Sequence, residues 1–162
     1  YAMAEMGNAA YEKLRIFAKA LVADNGFHLN GDFKYYGYTQ WHYRPFTLES
    51  SFGYCDALQE MLLQEHQGYI HLFPAIPDEW TDRVVSFTDL RSYGGVLVSA
   101  NAEKGKTKAV ALTLPKMMEI KLKNTFGVDE ITLKVGKKKE ILRAENGYFT
   151  FTAKRGKVQL QR

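Results

Sequence analysis

Val96-Leu97-Val98-Ser99-Ala100, Lys104-Gly105-Lys106 and Ala109-Val110-Ala111-Leu112-Thr113-Leu114 together decide the fold. In the two longer runs apolar residues alternate with small or polar ones. A period of two puts successive side chains on opposite faces of a strand. The glycine-centred break between the runs reads as a hairpin turn. Downstream the same rhythm returns at Glu119–Lys123, Ile131–Val135, Tyr148–Thr152 and Lys157–Leu160. Asn124-Thr125-Phe126-Gly127, Val135-Gly136-Lys137, Asn146-Gly147 and Arg155-Gly156 separate these runs with turn residues. The period of two begins near Val84. Many short strands at regular spacing predict an antiparallel β-sandwich over residues 83–162.

Upstream the period changes. Tyr69–Phe73 reads as a short strand and Pro74–Trp80 as a rigid connector. Ser50 or Ser51 suits the cap of a helix running to about Gln67 and closed by Gly68, with Phe52, Cys55, Leu58, Met61 and Leu62 as its buried stripe. Met3, Met6, Ala10, Leu14, Phe17 and Leu21 recur at spacings of three and four. They predict a first helix over about 2–22, ended near Asn25-Gly26. Residues 24–47 show no apolar period and read as a long loop. The expected organisation is α+β, with a helical domain over 1–82 and the sandwich over 83–162. Two helices cannot enclose a core of their own, so further helices are expected to precede them. Tyr1, rather than Met, opens the sequence, which fits a piece of a longer chain.

Charge divides at the same place. Residues 1–82 hold five Lys/Arg against eleven Asp/Glu, a balance of −6; residues 83–162 hold seventeen against seven, a balance of +10. The lysines of the basic half are scattered singly along strands. The one run, Lys137-Lys138-Lys139, reads as a solvated hairpin turn rather than a phosphate-binding patch, so no nucleic-acid partner is expected. Ten Phe, ten Tyr and two Trp argue against disorder. No apolar run reaches the roughly 18 residues of a membrane span. The single cysteine, Cys55, rules out an internal disulfide and a cysteine-based zinc cage. The four histidines have no metal-ligand spacing, and neither a metal nor a cofactor is expected.

Chemistry concentrates between His28 and Glu49. Glu49 stands on a short polar segment opening an apolar helix, where it serves either a site or the helix dipole. Arg44 beside it either keeps it ionised or makes a structural ion pair. Trp41, Tyr43 and Tyr38 either stack on sugar rings or pack the loop. His28, Asn30 and Asp32, with His42, are candidate hydroxyl binders, and Asn30-Gly31-Asp32 is equally a set of Asx turns.

The segment Pro45-Phe46-Thr47-Leu48-Glu49-Ser50-Ser51-Phe52-Gly53, with Glu60-Met61-Leu62-Leu63-Gln64, resembles a motif of glycoside hydrolase family 95, the α-L-fucosidase family. That motif reads Pro-Phe-Gln-Ile-Asp-Gly-Asn-Phe-Gly before a helix ending in Glu-Met-Leu-Leu-Gln. Ile70–Pro77 with Trp80, then Leu90-Arg91-Ser92-Tyr93-Gly94-Gly95, are similar to its next two signatures. The resemblance implies the last helices of an (α/α)6 barrel followed by a C-terminal β domain. It also implies an inverting hydrolase acting on a carbohydrate substrate, in which a Glu acts as general acid and an Asp, helped by Asn side chains, activates water. Glu49 stands at the place of that Asp, as base or water-positioner; Ser50-Ser51 replace Gly-Asn, and Tyr43-Arg44 replace the first two residues of His-Pro-Pro-Phe. His28, Asn30, Asp32, Trp41, His42, Tyr43 and Arg44 would bind substrate. The acid and the Asn residues would come from the rest of the same polypeptide, leaving this segment incomplete as a catalyst. The Asp-to-Glu change leaves an α-L-galactosidase-like enzyme open as an alternative, and a non-catalytic carbohydrate-binding or structural β module as another. Export to the periplasm or the medium rests on the resemblance alone.

Overall fold

The computed structural model describes residues 1–162. A 3-10 turn (Ala2–Ala4) leads to α1 (Gly7–Ile16), which a π-helical turn (Phe17–Leu21) extends. Strands β1 (His28–Gly31) and β2 (His42–Thr47) follow, then α2 (Glu49–Leu62), β3 (Leu63–Gln64), β4 (His71–Leu72) and the short α3 (Asp78–Thr81). Beyond it come β5 (Val84–Arg91), a 3-10 turn (Tyr93–Gly95), β6 (Leu97–Glu103), β7 (Lys106–Leu114), β8 (Met118–Lys123), β9 (Glu130–Val135), β10 (Lys138–Arg143), β11 (Tyr148–Ala153) and β12 (Gly156–Gln161). The fold is mixed α+β, with few helices and mostly antiparallel strands.

The hairpin turns form as their residue types demand. Lys104-Gly105 and Asn146-Gly147 take positive φ at both positions (52° and 68°, 51° and 82°), the geometry that matches the right-handed twist of the flanking strands. Six strands make an antiparallel sheet in the order β10-β9-β12-β7-β6-β5. A second ribbon pairs β8 with β11, Leu122 opposite Phe149 and Ile120 opposite Phe151. Ile70 adds to it in parallel, its N–H donating to Lys121 O at 2.8 Å and its carbonyl accepting from Lys123 N at 2.9 Å. The inward rows of both layers, among them Val98, Leu112, Leu133, Leu160 and Phe149, belong with Phe126 of the β8–β9 connection to one core of 20 buried residues. Fully burying each large apolar side chain stabilises by about 1.5–3 kcal/mol.

Two strands depart from the sequence expectation. Only Gly136-Lys137 turn between β9 and β10; Val135 pairs with Lys138, so Lys138 and Lys139 lie in an edge strand. In β5 the pairing slips between Phe87 and Leu90, where Asp89 takes φ 55°, and this bulge breaks the alternation.

The helical part differs more. The expected helix over 2–22 is broken at Glu5 (φ 57°), and Met3 and Met6 are exposed while Ala2, Ala10 and Ala20 are buried. Helix α2 begins at Glu49 behind Leu48, with no side-chain cap from Ser50 or Ser51, and stops at Leu62 because Leu63-Gln64 pair with His71-Leu72. Phe52 is 67% exposed, and Cys55 is exposed too, so the apolar stripe is covered only at its Met61 end. The local core is four residues: Ala2, Ala10, Met61 and Ala75. Helix α1 is held at a narrow seam. Gly7 lies so close to the connector that a Cβ there would sit 2.5 Å from Ile76 O. Asn8 holds the start of α3, donating to Asp78 Oδ2 and accepting from Asp78 N, both at 2.8 Å. Tyr11 packs edge-on against Trp80 at 5.2 Å. No helix is long and apolar enough to cross a membrane.

Candidate functional site

The stretch 24–47, expected as a loop, contains a two-stranded ribbon. Strand β1 pairs with β2, His28 opposite Thr47 and Gly31 opposite His42, with an irregularity between Leu29 and Gly31. Gly31 is required where the strands close up. It takes φ 155°, and a Cβ there would lie 2.6 Å from Tyr43 N. The excursion between the strands is tied back at Asp32, which is fully buried. Its Oδ1 accepts the Tyr36 N–H at 3.0 Å and its Oδ2 the Tyr38 N–H at 2.9 Å. Burial pushes the Asp32 pKa up, but the backbone donors of Tyr36, Tyr38 and Gly37, with His42 nearby, outweigh it and hold the carboxyl below its ordinary value. Lys34 fastens the same excursion to the end of the first helix, donating to Lys19 O at 3.1 Å and Val22 O at 2.9 Å.

Strand alternation then sorts the candidate residues. His28, Asn30, Trp41 and Tyr43 line one cavity of about 500 Å³ together with Leu21, Gly31 and Thr39. The Trp41 and Tyr43 rings lie 5.7 Å apart, tilted by 39°, and both are exposed. His28 is the buried member. It stacks on Phe17 (5.0 Å, 8°), and its Nδ1 lies 2.6 Å from Thr47 Oγ1. Burial lowers its pKa, which favours the neutral ring. The cavity thus offers aromatic faces, an amide and a neutral imidazole, a mixture suited to polyhydroxylated ligands with apolar ring faces.

The other candidates lie outside this cavity. Asp32, with both oxygens engaged by backbone, anchors the turn. His42 bonds Asp32 O through Nδ1 at 2.7 Å and stacks on Tyr35 at 4.2 Å. Arg44 is exposed and, by alternation, faces away from Tyr43. Glu49 is exposed in the first turn of α2, without an ion pair to Arg44. Thr47, Thr39 and Leu21 were not foreseen. Thr47 had a signal, since a ribbon register opposing it to His28 would have exposed the pair. In α2 itself Glu60 is the perturbed carboxyl: burial, then Asp56, raise its pKa, and its Oε2 is buried without a hydrogen-bond partner. No group of three or more His, Cys, Asp or Glu side chains gathers as a metal site.

Comparison with known proteins gives three results. The chain is 39% identical over 62 residues to Alpha-L-fucosidase 2 of Arabidopsis thaliana; those residues are 38% of this chain and 7% of that protein's length. A GH30 endoxylanase from Clostridium papyrosolvens C71 matches 44% of this chain and 21% of its own at 14% identity, with a TM-score of 0.34, too low to bear on the fold. Residues 64–159, running from β3 into β12 and holding all of the 20-residue core except Leu63 and Leu160, match the family described as Glycoside hydrolase family 95, C-terminal domain. The match takes in more than half of the sequence, and the chain belongs to glycoside hydrolase family 95.

Proposed function

We propose that this chain forms part of a glycosidase of α-L-fucosidase-like specificity that inverts the configuration of its sugar. Residues 1–82 would be the end of a helical catalytic domain and residues 83–162 a β domain supporting it. Carrying this reading is the aromatic-lined cavity on the β1–β2 ribbon, because β2 runs directly into the helix that begins with Glu49. Trp41 and Tyr43 would stack on the sugar, and Asn30 and His28 would bind its hydroxyls. Glu49 would activate water. An inverting site keeps its two carboxyls roughly 6.5–9.5 Å apart so that water fits between base and sugar. The partner acid would come from elsewhere in the same polypeptide, so the segment alone would not turn over.

Hydrolysis of aryl α-glycosides by the full-length protein tests this, with the L-fucoside and the L-galactoside in the panel. Glu49→Gln should lower kcat by about 10²-fold or more, as for loss of a general base. Trp41→Ala should chiefly raise KM. Preference for the galactoside would replace the fucoside assignment. Unchanged kcat in Glu49→Gln would remove Glu49 from the chemistry.

A second reading has its own support. The ribbon cavity is lined by no carboxylate, and Glu49 is exposed outside it. A saccharide-binding role without catalysis fits these facts. It predicts full-length protein that binds sugars and hydrolyses no member of the panel.

A further inference from the structure

We propose that the outer face of the six-stranded sheet is a second ligand site, distinct from the ribbon, that takes oligosaccharides bearing carboxylates. A cavity of about 560 Å³ opens on this face. The sheet register builds its floor in rows. One row runs Lys139, Lys134, Gln159, Ala111, Ser99, each residue opposite the next on the neighbouring strand. With strands about 4.8 Å apart, this row spans about 19 Å. The adjoining row runs through Thr132, Gln161, Ala109 and Asn101. Ala109, Ala111 and Ser99 on β7 and β6 form the low part of this surface, and Gln159, Gln161, Lys134 and Lys139 rise from it toward the β9–β10 end.

Its charge is one-sided. Lys134, Lys139 and Arg162 line the cavity, and no carboxylate does. The ion pairs nearby are made by other residues, Lys138 with Glu140 and Arg143 with Glu130. Lys134 and Lys139 are left directly opposite each other, an arrangement that costs stability until an anion lies between them. At the far end Ser99 Oγ donates to Asp89 Oδ1 at 3.2 Å, and Asp89 itself lies outside the cavity lining. The surplus of positive charge in the lining suits a chain that carries carboxylates. Phe87 is the one aromatic residue in the lining, and it is buried in the core, so nothing here stacks nucleic-acid bases. The cavity lies on a face rather than an edge, so a peptide has no strand to add to.

The test is calorimetric titration of the full-length protein with a trigalacturonate, a neutral trisaccharide of the same length, and tri-glutamate. Trigalacturonate should bind more tightly than both. A Lys134→Gln, Lys139→Gln double variant should weaken it at least tenfold, and Trp41→Ala should leave it unchanged. Both lysines are exposed, and removing their repulsion should not lower the melting temperature of the double variant. Absence of trigalacturonate binding, binding indifferent to the double substitution, or tri-glutamate binding equally well would each overturn the proposal. Loss of binding in Trp41→Ala would assign the uronate to the ribbon instead.

Discussion

The two halves of the chain solve the burial problem unequally. The sandwich closes twenty residues into one core, whereas the helices share four. Large exposed apolar side chains divide the other way: twelve lie in residues 1–52 and four beyond, namely Val84, Met117, Val135 and Ile141. Of the twenty core residues, Leu63, Ile70 and Leu72 come from β3, the residue before β4 and β4, so this short segment completes the sandwich core. The helices and ribbon hold their shape through a few polar and close-packed contacts while presenting aromatics outward. A region arranged in this way gives up stability for surface, which is where binding residues are drawn from.

The strongest way to break this comparison is truncation in both cores. Phe149→Ala should cost about 3–5 kcal/mol and melt the β signal, while Met61→Ala should cost about 2 kcal/mol and leave the sandwich transition in place. Denaturant unfolding followed by far-UV and tryptophan signals separates the two; a single shared transition in both variants would make the halves one cooperative unit.

Acid probes the seam next. His71 is buried in β4 with Nδ1 3.4 Å from Glu5 Oε1, and burial first, then Lys123, lower its pKa to about 4. A histidine depressed on folding favours the folded state fully above its unfolded value near 6.5, and that contribution is lost as pH falls toward 4. The loss should approach about 3 kcal/mol, and His71→Gln should flatten it between pH 6.5 and 4 in melting curves. Asp32 loses its contribution lower still, as pH falls below its ordinary carboxyl range. Asp32→Asn should loosen the aromatic excursion without touching the sandwich.

Smaller effects sharpen the contrast. Gly7→Ala should cost about 1–3 kcal/mol by forcing α1 off the connector, read as lost helical signal alone. Phe52→Ser should change stability by no more than about 0.5 kcal/mol, because that side chain covers nothing within this chain. A larger loss would mean that the exposed face packs more tightly than its surface area suggests.

What could be read from sequence follows the same divide. Strands β6, β7, β8, β11 and β12 were legible because one face is buried and their turns use Gly or Asn-Gly. Strand β10 was not. Lys138, Lys139 and Glu140 sit at the sheet edge with almost every residue exposed, and without a buried face no period appears. The β1–β2 ribbon was invisible for the same reason. In α2 the steps of three from Phe52 through Cys55 and Leu58 to Met61 drift round the helix, so that Phe52 and Met61 lie on opposite sides of it. Met61 is buried, whereas Phe52 and Cys55 are exposed. Of the candidate site, the aromatic and histidine content was legible, but the alternation placing Trp41 and Tyr43 apart from Arg44 required the ribbon.

The charge of β10 has one more effect. As the last strand of its sheet it presents an open row of amides and carbonyls, a template on which another strand could grow. In an antiparallel pairing of two copies in register, Lys138 of each would meet Arg143 of the other, and Lys139 would lie over Leu142. The strand that hides itself from sequence inspection by having no apolar face is, for that reason, a poor seed for edge-to-edge fibres.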